Sequence, residues 1–176
     1  ACSDMILYLV RHAKSSWAER GLQDHDRPLN DRGRQDAPRV FERLRLHGAC
    51  PEVIISSDAV RAAATAKLLD TALDANTDRL RFDERLYEAG TERIISIARE
   101  LPDAVGVAAL VGHNPGRTYA ANRLTADLTL DSLPTCAVVG IHFDVARWSA
   151  LETGTLCYFD YPKKTDGPLV VSPENL

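Results

Sequence analysis

Two arginines and two histidines stand where predicted strands end. Arg11 and His12 directly follow one short apolar run, His113 follows another, and Arg61 lies in the first turn of the helix after a third. Guanidinium groups pair with phosphate oxygens in bidentate fashion and stay charged, and a neutral imidazole is a competent nucleophile. The four residues together predict a phosphoryl-binding site. One histidine would accept the phosphoryl group, and the other, when protonated, would donate to the developing negative charge.

Segments with strand character alternate with amphipathic segments, and this alternation determines where those residues lie. Strands are predicted at residues 5–10, 52–56, 80–82, 106–111, 137–143 and 155–159. Helices are predicted at residues 30–47, with Pro38 inside, at 58–73, capped by Asp58, at 91–101 and at 117–124. The pattern predicts a three-layer α/β fold with a mainly parallel, mixed sheet and helices on both faces. Ligands of such sheets bind beyond the carboxyl ends of the strands.

The composition is that of a globular chain with one domain, residues 1–176. Hydrophobic residues make up 45% of the 176 residues and charged residues 26%. We expect residues 1–4 to be a tag remnant or a disordered end, and residues 163–176 to form a surface tail. The net charge of −4 does not favour nucleic acid as a partner, and no apolar run approaches the ~20 residues that cross a bilayer. The expectation is a soluble, cytoplasmic protein that binds neither nucleic acid nor membrane.

Four segments carry a family resemblance. They read LYLVRHAK at residues 7–14, RPLNDRG at 27–33, SSDAVRAAATA at 56–66 and VGHNPG at 111–116. In order and spacing they resemble the histidine phosphatase superfamily, also called phosphoglycerate mutase-like. The RHAKS start, the GHNPG turn and the short chain are similar to the SixA-type phosphohistidine phosphatase branch. The resemblance covers about residues 5–143 and implies the family's fold, a mainly parallel sheet flanked by helices.

The resemblance also implies a role for each matching residue. His12 corresponds to the nucleophile that becomes phosphohistidine, Arg11 and Arg61 to the phosphate-binding arginines, and His113 to the second histidine of the catalytic pocket. It implies a metal-independent hydrolase without a cofactor. None of the four cysteines forms a CxxC pair or lies near a histidine at metal-ligand spacing, so they predict free, buried thiols and no metal site.

Further residues near these motifs are candidates with an open alternative. Glu88 lies where larger relatives place a carboxylic acid that protonates a leaving alcohol, and the alternative is a surface glutamate. Lys14, Ser15 and Asn114 are candidates for substrate binding, and the alternative is a loop or turn residue. A phosphohistidine substrate releases an imidazole, with a conjugate-acid pKa of about 6.5, and needs an acid less than an alkoxide does.

Three functions remain distinct at this point. The first expectation is a phosphatase acting on protein phosphohistidine, whose partner is a phosphorylated protein such as a phosphohistidine-bearing signalling domain. The alternative is a phosphomonoesterase acting on a small phosphorylated metabolite. A non-catalytic phosphopeptide-binding module is less favoured because all four central residues are present. A mutase is disfavoured because the chain has little spare length for a lid that excludes water.

Overall fold

The computed structural model describes residues 4–74 and 78–171, which form a seven-stranded sheet with helices on both faces. The strands are β1 (Asp4–Arg11), β2 (Val53–Ser56), β3 (Leu80–Phe82), β4 (Val107–Gly112), β5 (Val138–Asp144), β6 (Thr155–Asp160) and β7 (Leu169–Val170). The α-helices are α1 (Asp31–His47), α2 (Val60–Ala72), α3 (Thr91–Arg99) and α4 (Gly116–Leu124). Short 3₁₀ helices span Asp24–Asp26, Glu84–Leu86 and Trp148–Ala150.

The strand order is β3-β2-β4-β1-β5-β6-β7, with β1 near the centre. Strands β3, β2, β4 and β1 run parallel, whereas β5 pairs antiparallel with β1 and is followed by antiparallel β6 and β7. The α/β class and the mixed sheet are confirmed. Three of the six strand pairings are antiparallel, and all three involve the carboxyl-terminal strands β5, β6 and β7.

The side chains of β1 alternate between two cores. Leu7 and Leu9 pack on the side of α3 and α4, while Tyr8 and Val10 pack on the side of α1 and α2. A strand covered on both faces reads as a continuous apolar run, which is the pattern seen in the sequence. The register places Arg11 opposite Gly112 of β4, and Ser56 opposite Val111. The carboxyl ends of β1, β2 and β4 therefore meet at one edge.

The predicted helix ends are mostly confirmed. The side chain of Asn30 accepts a hydrogen bond from the Gly33 amide at 2.8 Å, and α1 ends at Gly48, whose φ of 94° suits a residue without Cβ. The cap predicted for α2 is wrong. Ala59 is its N-cap residue, and the carboxylate of Asp58 instead lies 3.1 Å from Nε2 of His25.

The two chain ends are described only in part. Residues 1–3, including Cys2, and residues 172–176 lie outside the described residues. Within 163–171, the exposed strand β7 pairs with β6, which the sequence did not predict because it has only two residues. Among the described cysteines Cys136 and Cys157 are buried free thiols, whereas Cys50 is exposed. No helix of the described ranges combines the length and apolar character needed to span a bilayer.

Candidate active site

His12 and His113 face each other at the carboxyl edge of the sheet. Their ring centroids lie 5.2 Å apart with an interplanar angle of 56°, and both side chains are almost fully buried. The parallel pairing of β1 with β4 causes this proximity, because the amide of His12 donates to the carbonyl of Gly112 at 2.9 Å. With Arg11 and Arg61 they line one cavity of about 820 Å³. The convergence predicted from the sequence is therefore present.

The imidazole of His12 is held with one nitrogen bonded and the other available. Its Nδ1 lies 2.7 Å from the carbonyl oxygen of Ala13, so Nδ1 carries the hydrogen and Nε2 keeps its lone pair. The Ala13 amide donates to the hydroxyl of Thr65 on α2, which fixes this short segment. Burial, together with the nearby arginines, lowers the pKa of His12 to about 4. At neutral pH the ring is therefore an uncharged base with a free nitrogen.

His113 is also neutral, but it retains a donor. Its Nε2 lies 2.8 Å from the hydroxyl of Ser57, and that oxygen already accepts from the amide of Ala59. The Ser57 hydrogen has no other acceptor in the described parts of the chain, so it points to Nε2 and leaves the ring hydrogen on Nδ1. Burial, followed by charge repulsion with His12 and then with Arg61, lowers the pKa of His113 to about 3. The protonated donor expected from the sequence is thus replaced by a neutral Nδ1–H.

Three residues that line the cavity each carry a buried N–H donor without an acceptor among residues 4–74 and 78–171. These donors are Nε of Arg11, Nε of Arg61 and Nδ1 of His113. Nη1 of Arg11 donates to the carbonyl of Leu133 at 2.6 Å, and both Nη1 and Nη2 of Arg61 donate to Asp24, whereas Nη2 of Arg11 makes no hydrogen bond within the described residues. A buried donor without an acceptor is costly, at roughly 1–3 kcal/mol. An oxyanion bound in the cavity would pair with the two arginine charges that line it.

Three further residues of the site, Asp24, Arg27 and Tyr87, were not predicted from the sequence. The carboxylate of Asp24 accepts from Nη2 of Arg61 at 2.9 Å, from the hydroxyl of Tyr87 at 2.6 Å and from Nε of Arg27 at 3.1 Å. These contacts, with Tyr87 first, hold the pKa of Asp24 well below its usual range. Arg27 is buried, stacks over the ring of Trp17 and stands in the quoted RPLNDRG segment, which was the available signal.

The further candidate residues lie at the same cavity, but their hydrogen bonds differ. Lys14, Ser15, Asn114 and Glu88 all line it. The Asn114 amide is already occupied, because Nδ2 donates to Leu133 and Ser132 and Oδ1 accepts from Thr118. Its geometry therefore favours a turn-fixing role over substrate binding. Ser15 accepts from Arg27 at 2.9 Å.

Glu88 has an exposed side chain and an uncommon backbone. Its φ of 55° lies in the left-handed region, which non-glycine residues rarely adopt. The next residue, Ala89, is in close contact with Gly116 at the start of α4, where any Cβ would overlap the Ala89 carbonyl oxygen. The segment carrying Glu88 is thereby held against the helix that follows His113.

Cations dominate the inner part of the cavity, and aromatic side chains its mouth. Two aromatic side chains that line the cavity are exposed, Trp17 at 77% and Tyr119 at 58%. Trp148, in contrast, is fully buried in the core. Within the described ranges no group of three or more histidine, cysteine or acidic residues is placed to hold a metal ion. The arrangement is suited to binding an oxyanion beside a nucleophilic imidazole.

Comparison with known proteins agrees with this geometry. Residues 7–113 match the family model of the histidine phosphatase superfamily (branch 1). Over 129 residues the chain is 35% identical to an uncharacterized chloroplastic protein of Arabidopsis thaliana, covering 68% of this chain and 58% of that protein. Over 154 residues it is 30% identical to an uncharacterized protein of Mycobacterium tuberculosis, covering 82% of this chain and 93% of that protein. The chain thus spans less than two thirds of the plant relative.

A solved structure shares the fold. A candidate phosphohistidine phosphatase SixA from Agrobacterium tumefaciens superposes with a TM-score of 0.74 at 24% sequence identity, covering 90% of this chain and 98% of that one. At this level of identity the likeness establishes the architecture.

Proposed function

The chain belongs to the histidine phosphatase superfamily (branch 1), and from this premise we propose that it hydrolyses protein phosphohistidine through a covalent phosphoryl group on His12. One observation carries the proposal. His12, with the lone pair of its Nε2, shares a cavity with Arg11, Arg61 and His113, each of which has a buried N–H donor without an acceptor in the described part of the chain. Such donors favour the charge that develops on the equatorial oxygens of a transferring phosphoryl group.

The reaction has two steps, transfer of the phosphoryl group to His12 and its hydrolysis. In the first, His12 Nε2 forms a bond to phosphorus while the phosphorus–nitrogen bond of the substrate breaks, and the substrate imidazole leaves with the electron pair and takes a proton from solvent. In the second, water attacks phosphorus, the bond to Nε2 breaks, and inorganic phosphate leaves. His12 returns to its starting state. Arg11, Arg61 and His113 hold the equatorial oxygens in both steps.

The leaving group distinguishes the two candidate substrates. A substrate imidazole has a conjugate-acid pKa of about 6.5 and leaves without an acid, whereas an alkoxide requires one. The position of Glu88 at the cavity favours a second candidate, a phosphomonoesterase in which Glu88 protonates the leaving oxygen. The likeness to a phosphohistidine phosphatase fold and the wide mouth lined by Trp17 and Tyr119 support the first.

The test measures phosphate release and trapping of the intermediate. We expect His12→Ala to lose phosphate release from a phosphohistidine peptide, and rapid quenching of the wild type to yield a phosphoryl group attached to His12. His47→Ala is the matched control, because His47 lies outside the cavity lining and packs against Tyr158. Near-normal turnover by His12→Ala would refute the assignment. A phosphoserine peptide and a sugar phosphate measured in parallel separate the two candidate substrates.

A further inference from the structure

A second cavity of about 390 Å³ opens beside the active site. It shares Arg11, Lys14 and Thr135 with the active-site cavity, so the two spaces adjoin. Its remaining walls come from α1, through Arg32 and Asp36, and from the segments 161–163 and 134–135. We call it the side cavity. Its volume exceeds the ~30 Å³ share of one water molecule about tenfold, so it accommodates a side chain or a ligand group.

The side cavity carries an excess of positive charge. Four cationic side chains line it, and they are Arg11, Lys14, Arg32 and Lys163. Its one carboxylate, that of Asp36, is buried and already paired with Nε of Arg32 at 3.2 Å and with Nη2 of Arg39 at 2.7 Å. This local excess contrasts with the net charge of −4 for the whole chain.

The cations of the side cavity remain available to a ligand. Neither the Lys14 nor the Lys163 ammonium group has a hydrogen-bond acceptor in the described portion of the chain, whereas the neighbouring Lys164 is paired with Asp166 at 2.6 Å. Arg32 uses only Nε for its contact with Asp36. Unpaired cations that line one concave space raise the local concentration of anions.

The walls of the side cavity are well fixed. The Lys14 carbonyl accepts from the Asn30 amide at 3.0 Å, and its backbone packs so closely on Gly33 that a Cβ there would overlap it. Pro134 and Pro162 stiffen the opposite wall. A fixed wall limits the conformational entropy that binding must overcome. The geometry is therefore that of a formed subsite.

We propose that the side cavity binds a second anionic group, a carboxylate or a phosphate, belonging to the same substrate whose phosphoryl group reaches His12. This inference rests on the proposed function and specifies its substrate class. For a protein substrate, it requires an acidic residue close to the phosphorylated histidine. Arg11 lines both cavities and therefore lies between the two anionic groups.

The first experiment compares two small substrates that differ by one carboxylate. We expect the wild type to show a higher kcat/KM for 3-carboxyphenyl phosphate than for phenyl phosphate. Lys163→Ala should lower the ratio of the two values about threefold, as expected for an exposed charge pair, and Lys164→Ala should leave that ratio at its wild-type value. The preference should weaken at high salt. Turnover of both substrates without a preference, or equal ratios in both variants, overturns the second site while leaving the phosphatase intact.

The second experiment does not depend on turnover. Calorimetry with the His12→Ala protein should show tighter binding of the carboxylated compound, and the added Lys163→Ala change should remove that advantage. Equal affinities overturn the side-cavity proposal, whatever the catalytic result. Phosphohistidine peptides with glutamate or glutamine beside the phosphorylated residue then distinguish a protein source of the anion from a small one. Absence of phosphate release from every substrate would overturn the proposed function instead.

Discussion

The carboxylate of Asp24 lies 2.9 Å from Nη2 of Arg61, and the carbonyl of the same aspartate accepts from Nη1. An arginine that faces the active-site cavity is therefore bound to an internal anion. Asp24 also accepts from Tyr87, which packs edge-on against the ring of His113 at a centroid distance of 5.5 Å. The ionised carboxylate of Asp24 thus links the loop after β1 to both sides of the active-site cavity. Its negative charge repels an approaching phosphate dianion.

We expect Asp24→Asn to strengthen phosphate binding. The amide keeps an oxygen that accepts from Tyr87 or Arg61, but it no longer repels the substrate. Competitive inhibition by inorganic phosphate should tighten about fivefold, the size of a partly exposed charge effect. Asp26→Asn is the control, because Asp26 belongs to the same 3₁₀ helix but pairs with His25. Weaker phosphate binding in Asp24→Asn would show that the carboxylate mainly holds Arg61 in position.

Ser57 should act by orienting the hydrogen of His113. Ser57→Ala removes the donor to Nε2 and lets the ring place its hydrogen on either nitrogen, so we expect kcat to fall about tenfold with little change in KM. Nitrogen NMR of the imidazole should show a mixture of tautomers in this variant. Ser56→Ala is the control, because it removes a neighbouring buried hydroxyl that donates to the Ser57 carbonyl rather than to the His113 ring. A wild-type tautomer in Ser57→Ala would contradict this role.

As the pH falls, His25 should become protonated before His12 and His113. The pKa values of His12 and His113 are lowered to about 4 and about 3, so both rings remain neutral as the pH falls from 8 to 5. The hydrogen bond that His25 donates to the Asp58 carboxylate raises the pKa of His25, which should therefore become charged first and serve as the internal control. Proton NMR of the ring hydrogens measures all three. With neutral His12 as the proposed nucleophile, the acid limb it contributes to kcat/KM should lie near pH 4. Titration of His12 near 6.5 would contradict the burial argument.

Glu88 should matter only for poor leaving groups. If it protonates a leaving oxygen, Glu88→Gln will slow alkyl phosphate hydrolysis about a hundredfold and will affect activated aryl phosphates and phosphohistidine much less. Glu84→Gln, an exposed residue of the adjoining 3₁₀ helix, is the control. Equal losses on all substrates would exclude the acid role.

The contact between Gly116 and Ala89 should be sensitive to a single methyl group. Gly116→Ala places a Cβ against the Ala89 carbonyl, so we expect the free energy of unfolding to fall by about 2 kcal/mol. At Gly90 a Cβ would meet no atom within 4 Å. Gly90→Ala should therefore cost less than about 1 kcal/mol, mainly through its N-cap position. Denaturant midpoints give both values, and equal losses would contradict the close approach.

The sequence predicted this cluster because Arg11, His12 and His113 lie at the ends of buried strands and Arg61 lies in the first turn of the helix after another strand. An apolar run ending in Arg11 and His12 identifies a strand and its functional end together, and parallel pairing then brings His113 alongside. Asp24, Arg27 and Tyr87 could not be placed in the same way. They lie on loops and 3₁₀ segments without periodicity, and their meeting depends on tertiary packing.

The charge state of His113 could not be predicted from the sequence, for a related reason. Residue type sets an unperturbed pKa, but burial and neighbouring charges shift it, and both arise only on folding. Strand β7 was missed because two exposed residues carry no alternation signal. The cap of α2 was assigned to Asp58 from residue type, whereas that carboxylate has a stronger partner in His25.

Arg11, Arg61 and His113 come from the end of β1, the first turn of α2 and the residue after β4, and these segments meet only once the central sheet has formed. An unfolded chain therefore offers no comparable receptor for phosphate or tungstate. By mass action, occupancy of this one small pocket should raise the melting temperature of the entire cooperative unit, and the shift should grow with the logarithm of the free anion concentration.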